Sequence, residues 1–262
     1  MTTQATDQQP DAAAEPSQQP LSIRQIPISA PGTWFKKALK IFLHAPVASL
    51  LYGLIFSAAC FGIASLTLKN PGFTTAFLTG LLLIAPVLAT GLIVATRQHE
   101  QGQPVSIAAS LRLIWERRDN LGLFMLFLAL VMATWVRLSA LIFAFKVNAF
   151  APTQYSWQGF LSGSFDPIII GFFVVIGSIL ALTVFVTSAV AVPMIADRDV
   201  GPITAMTTSY RAVKKNPRAM GLWAAAIVAL TAVGVFSWFI AMVVIFPLLG
   251  YATWYSYRDL VE

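Results

Sequence analysis

Apolar residues in this chain come in blocks, not in alternation. Several stretches of 20 or more positions carry no Asp, Glu, Lys or Arg, and the charged positions gather between them. A strand buried on one face would alternate, whereas an uncharged run of 18 or more apolar residues is long enough for a helix to cross a bilayer. The pattern predicts six spans, at about 46–68, 73–95, 121–145, 168–192, 219–236 and 238–257. The last two come from a single block, Ala219 to Tyr257, of 39 residues without a formal charge. One helix of that length would reach about 58 Å, nearly twice the hydrocarbon core, so the block is divided by a turn near Val233–Ser237. A five-span chain with one long tilted helix is the alternative. In the six-span reading Trp238 falls at the outer interface, and Trp223 and Trp254 near the inner one, as an aromatic belt.

Composition strengthens the membrane reading. The chain has 262 residues, 57% hydrophobic and 11% charged, against about 25% charged in soluble domains. A water-facing surface cannot be covered with so little charge. The fold class expected is therefore all-α, a polytopic helical membrane bundle. Residues 1–33 differ, with six Gln, five Pro and five Ala and no apolar run. Such a segment does not bury enough surface to offset its ordering entropy, which predicts a disordered tail ahead of a membrane domain over 34–262. It lacks the basic start and apolar core of a signal peptide. Trp34-Phe35-Lys36-Lys37-Ala38-Leu39-Lys40 then makes a basic, aromatic approach to the bilayer surface.

The distribution of Lys and Arg orients the spans. With both termini inside, fourteen of the seventeen basic residues lie on the cytoplasmic side. Lys69 and Lys146 fall outside, and Arg137 falls within a span. Such an asymmetry predicts N- and C-termini in the cytoplasm. The net charge of +6 is then a membrane-topology signal, and no nucleic-acid partner is expected.

The two longer cytoplasmic connections resemble each other. At a constant offset of 99, Gly102 matches Gly201, Ser110 matches Ser209, Arg112 matches Arg211 and Gly122 matches Gly221. Both are amphipathic: Ile107, Leu111, Ile114 and Trp115 recur at helical spacing in one, and Ile203, Met206, Tyr210 and Val213 in the other. Arg112 and Arg117, and Arg211, Lys214 and Lys215, lie on the remaining faces. These are predicted to be interfacial helices whose basic faces meet anionic lipid headgroups. The unit span, interfacial helix, span is thus used twice, a parallel internal repeat. Asn120 and Asn216-Pro217 are expected to cap the spans that follow.

Val192-Pro193-Met194-Ile195-Ala196-Asp197-Arg198-Asp199-Val200, then Ala205 to Val213, then Asn216-Pro217, form one distinctive run. Phe246-Pro247-Leu248-Leu249-Gly250-Tyr251-Ala252-Thr253-Trp254-Tyr255-Ser256-Tyr257-Arg258 forms another. On these motifs the chain resembles a family of predicted bacterial integral membrane proteins, a domain of unknown function. The resemblance covers nearly everything after the tail. It implies a multi-pass protein of the bacterial inner membrane and no particular activity. In that family histidines often stand where this chain has Tyr251 and Tyr255, so a metal or haem role for that pair does not carry over.

Few residues suggest chemistry. Arg137 is the one charge well inside a span, either an anion-binding group or a side chain that snorkels to the outer interface, with Asp166 as its partner. Tyr251, Trp254, Tyr255 and Tyr257 would line a site for a quinone or headgroup, or form a belt. Asp197-Arg198-Asp199 reads as a local ion-pair turn, with a gate or partner contact as the other meaning. Spans contain no carboxylate for an ion relay, and no phosphate loop, nucleophile elbow or zinc helix motif occurs. Cys60 is the single cysteine and His44 and His99 lie at the ends of apolar blocks, so no cofactor, metal or catalytic residue is expected. Gly53 and Ser57, Ala85 and Ala89, and Gly177 and Ala181 mark close helix packing. The role expected is non-catalytic, an accessory or assembly factor with a membrane-protein partner. The alternative is a transporter or channel for a small neutral, anionic or lipid-like solute. A third reading is an enzyme acting on lipid.

Overall fold

The computed structural model describes residues 21–67, 77–78, 80–81, 85, 88–103, 107–147 and 167–262. Its elements are α1 (Ala30–His44), α2 (Pro46–Thr67), α3 (Thr90–Glu100), α4 (Ile107–Glu116) and α5 (Arg118–Val147), followed by α6 (Pro167–Ser188), α7 (Ala191–Arg198), α8 (Pro202–Lys215), α9 (Pro217–Phe236) and α10 (Met242–Leu260). Prolines open α2, α6, α8 and α9, where a missing N–H has no helical partner to lose. Asp199 ends α7 in the left-handed region at φ 52, a conformation Asp tolerates better than most residues.

Among the described residues, four helical stretches are long and apolar enough to cross a membrane: Pro46–Leu66, Arg118–Ile142, Ile170–Arg198 and Pro217–Phe236. These agree with the first, third, fourth and fifth expected spans. The second, 73–95, and its Lys69–Gly72 turn lie largely outside the described residues. At 238–257 a helix does form, α10, but it is not one of the four. Its second half carries Ser256, Arg258 and Asp259 and is packed in protein. The expected division of the long apolar block is present, with the turn at Ser237–Ala241.

α10 sits at the centre. It packs on α1 and α2 along most of its length and also touches α3, α7 and α9. Small residues permit the closest approaches. A Cβ on Gly53 would overlap the Val243 backbone, and one on Gly250 would meet Leu92 and Ala89. Phe56 stacks on Phe246 with ring centroids 4.0 Å apart. Gly177 faces Trp135, as its pairing with Ala181 leads one to expect.

α1 explains itself by spacing. Trp34, Ala38 and Ile41 are buried on one stripe while Lys36, Lys37 and Lys40 face out. The tail expected over 1–33 does not include Leu21–Thr33, which are placed against the fold. Ile23 forms an antiparallel bridge with Val261, and Arg24 N–H donates to Leu260 O at 2.9 Å. The two ends of the described chain therefore meet on one face of the bundle.

α8 lies across the junction of α6 and α7, burying Ala205, Thr208, Ser209 and Ala212. The apolar stripe expected to face the bundle or lipid is turned outward at Ile203 and Tyr210, and half-buried at Met206 and Val213. Ser209 Oγ donates to Val186 O at 2.7 Å and accepts from Val190 N at 3.4 Å. It thereby serves backbone groups where the helix is interrupted between α6 and α7. α4 ends at Glu116 and α8 at Lys215, and α5 begins at Arg118 and α9 at Pro217. Both pairs of boundaries lie at the offset read from the sequence.

Candidate functional site

The richest polar cluster sits where the ends of the described chain meet, around the turn after α7. Asp197, Arg198 and Asp199 each reach a different part of the fold. Asp197 pairs with Arg97 of α3 at 3.5 Å and accepts from the Tyr257 hydroxyl at 2.8 Å. Arg198 Nε donates to that same hydroxyl at 2.8 Å, and its Nη1 donates to Glu262 O at 2.6 Å. Asp199 pairs with Arg117 and accepts from Asn120 Nδ2 at 3.1 Å. The turn is thus not a local ion pair, as expected from its sequence, but a three-way tie between α3, the α4–α5 junction and the end of α10.

α10 supplies a second row of contacts. Trp254 Nε1 donates to Glu100 at 3.0 Å, and Arg258 approaches the same carboxylate at 4.0 Å. Trp34 Nε1 donates to Asp259 at 2.7 Å. The Lys37 ammonium lies 5.1 Å from the Tyr255 ring centroid. Tyr251 is fully buried, its hydroxyl 2.7 Å from Ser49 Oγ. Tyr251, Trp254, Tyr255 and Tyr257 are therefore inside the protein and not a lipid-facing belt, and they reach α2, α3, α1 and α7 in turn. Trp223 is likewise buried, edge-on to Trp34 at 5.6 Å.

Asn216 holds the N-terminal strap. Its Oδ1 accepts from Ile26 N–H at 2.9 Å and its Nδ2 donates to Arg24 O at 2.9 Å. Its side chain makes no capping bond to α9, and Asn120 lies inside α5 bonded to Asp199, so neither asparagine caps as expected. Both amides instead find partners distant in sequence. Lys215 adds a bond from Nζ to Ile23 O at 2.5 Å. Arg24 and Ser22 both bond the Glu262 carboxylate, which holds its pKa below the ordinary carboxylate value, Ser22 being the larger influence.

The remaining candidate residues lie apart from this cluster. Arg137 is exposed on α5 and does not face a packed interior; Asp166, its expected partner, lies outside the described residues. Arg112 pairs with Glu116 one turn along α4 at 2.8 Å and is largely exposed. Arg211 is exposed, and the Lys214 ammonium sits 5.9 Å from the Tyr210 ring centroid. Trp115 is 69% exposed, with the Arg118 guanidinium 5.0 Å from its ring centroid. Ile114, Trp115, Arg118, Leu121, Gly122 and Met125 line an open apolar groove of about 280 Å³. His44 and His99 approach to 4.5 Å between ring centroids, and no group of three metal-ligating side chains occurs among the described residues.

Sequence reasoning missed Arg97, Glu100, Trp34, Asp259 and Glu262. Each is an ordinary interfacial charge or aromatic until the fold brings its partner near. A signal was present in the D-R-D run, which puts three charges at the end of an apolar helix where one would suffice for solvation.

These features define a class: an all-helical integral membrane protein whose polar residues tie helices together at one face. Residues 74–197 match the family model of a predicted integral membrane protein (DUF2189), a domain of unknown function. The matched stretch is just under half of the chain, narrower than the extent expected, and the runs at 205–217 and 246–258 lie beyond it. No curated protein and no solved structure matches the chain.

Proposed function

We propose that this protein is a non-catalytic accessory or assembly factor for a membrane complex. The observation that carries the reading is the exposed groove at the α4–α5 junction. Trp115 stands out from the surface beside Leu121, Gly122 and Met125, a shape suited to an apolar helix of another membrane protein. The intramembrane cation supports the same choice over a carrier. Arg137 is exposed on the outside of α5, whereas an anion pathway would turn it toward a cavity. The polar residues clustered around the turn after α7 are engaged in interhelical bonds, which gives an enzyme acting on lipid little support.

Placement in the bacterial inner membrane with both termini cytoplasmic belongs to the same proposal. The basic asymmetry supports the orientation, and the Ile23–Val261 bridge favours an even number of crossings over five. Helix boundaries repeating at a constant offset support the parallel repeat. The exposed arginines and lysines of α4 and α8 are suited to anionic headgroups.

The test is native mass spectrometry of the protein extracted gently from its own membrane. The reading expects a stoichiometric membrane-protein partner that is lost from the Trp115→Ala variant. A lone chain carrying a defined small solute would overturn it in favour of a carrier.

A further inference from the structure

We propose that α9 and α10 form a re-entrant hairpin, which enters the bilayer from the face where the ends of the described chain meet and turns back near mid-depth. Its tip then contacts lipid acyl chains and does not emerge on the far side. The proposal depends on α2 crossing the bilayer, and is independent of whether the protein is an accessory factor or a carrier.

Register against α2 sets the depth. The two helices run antiparallel, with Tyr251 beside Ser49, Phe246 on Phe56, and Val243 against Gly53. At the tip, Ser57 Oγ donates to Phe239 O at 2.7 Å. Ser57 is eleven residues past Pro46, where α2 begins, or about 17 Å along its axis at about 1.5 Å per residue. That is roughly half of a hydrocarbon core about 30 Å thick. α2 continues ten residues further, to Thr67. The hairpin stops at the middle of the helix it packs against.

α9 is by length and composition able to cross, so its depth depends on where it starts. α5 and α9 each follow directly on a short helix at the same face, but α5 has 30 residues and α9 has 20. The difference is about 15 Å of axial reach. α9 also begins low, since Trp223 packs on Trp34 of the amphipathic α1, outside the span Pro46–Leu66. Its first turns lie at the level of α1 and only the remainder enters the core.

The chemistry of the tip is that of a turn in hydrocarbon. Phe236, Trp238 and Ile240 are 79%, 63% and 75% exposed, and residues 236–241 hold no charge, Gly, Pro or Asn. A turn in water has no need of such residues and usually has polar ones. Every backbone N–H from Ser237 to Met242 is satisfied inside the protein, by Val233 O, Val235 O, Gly234 O, Ser237 O, Ser237 Oγ and Phe239 O in turn. Lipid demands this accounting, because no water is present to complete it. Trp238 and Phe239 adopt φ of 54° and 66°, and this strained pair delivers the Phe239 N–H to Gly234 O at 2.8 Å. In this arrangement Trp238 is a mid-depth residue and does not mark the outer interface.

The experiment compares two spin-labelled single-cysteine variants, Ile240→Cys and Leu66→Cys, each in a Cys60→Ala chain reconstituted in phosphatidylcholine vesicles. Collision with oxygen relative to a water-soluble nickel chelate reports depth. The ratio is expected to be several-fold higher at 240 than at 66, and a membrane-impermeant maleimide is expected to leave the unlabelled Ile240→Cys variant unmodified from either side. Equal or shallower depth at 240, or reaction of that variant with the maleimide, overturns the hairpin. A deep label at 66 as well as at 240 would locate the failure in the placement of α2. Trp238→Cys repeats the measurement should Ile240→Cys fail to fold.

Discussion

Tyr257 donates its phenolic proton to Asp197 and accepts from Arg198, both at 2.8 Å. One buried hydroxyl thus stands between two residues adjacent in the chain and of opposite charge. It joins the end of α7 to α10, and Arg97 joins the same carboxylate to α3.

Tyr257→Phe removes both bonds and keeps the ring. The variant is expected to lose about 1–3 kcal/mol of stability, since two charged groups lose a partner away from bulk water. Arg112→Ala breaks only an exposed pair within α4 and is expected to change stability by about 0.5 kcal/mol or less. Unfolding of purified protein in detergent micelles checks the contrast.

Gly53→Ala is expected to separate α2 from α10, because the added Cβ meets Val243 backbone and not a yielding side chain. A cost of about 1–3 kcal/mol follows for a packed core. Gly62, also in α2, has nothing within 4 Å of its added Cβ, and Gly62→Ala is expected to leave the melting temperature unchanged or slightly raised. Melting curves of the two variants decide it.

Asn216→Ala is expected to release the N-terminal strap, with faster hydrogen exchange at Ile26 and a stability loss of about 1–3 kcal/mol from unpaired backbone groups. Asn216→Ser separates this from capping. Ser caps a helix as well as Asn does but cannot both accept from Ile26 and reach Arg24, so it should not restore protection at Ile26.

The Glu262 carboxylate has a lowered pKa through bonds from Ser22 and then Arg24. A group depressed in the folded state binds its proton more readily when released, so its contribution is present above the unfolded value and lost as pH falls through the folded one. Contact between the ends of the described chain should therefore loosen on acidification below the ordinary carboxylate range. Glu262→Gln should remove that pH dependence. Amide exchange of Arg24 and Val261 across the acidic range provides the measure.

The apolar blocks made the helical class and several spans legible, because charge-free length is a property of consecutive residues. The division between α9 and α10 was legible for the same reason. Other readings failed where a residue's partner is distant in sequence. Asn216 sits ahead of Pro217 and looks like a cap, yet its amide is engaged by Ile26 and Arg24. Asp197, Arg198 and Asp199 look self-neutralising, yet the two carboxylates pair with Arg97 and Arg117 and the guanidinium bonds the Tyr257 hydroxyl. Tyr251 and Trp254 resemble a belt by composition alone, and only the arrival of α1, α2 and α3 around α10 makes them interior.

The central position of α10 bears on how the molecule is made. It is the last of the described helices to leave the ribosome, yet α1, α2, α3 and α7 all pack against it. Until it arrives, the buried face of Trp34, Ala38 and Ile41 and the carboxylates of Glu100 and Asp197 lack their native neighbours. The membrane must therefore hold a partly assembled set of helices until the residues from Met242 onward have been made. Closure waits for α10, and a nascent chain halted before Met242 should be recognised as unfinished by the cell's membrane proteases.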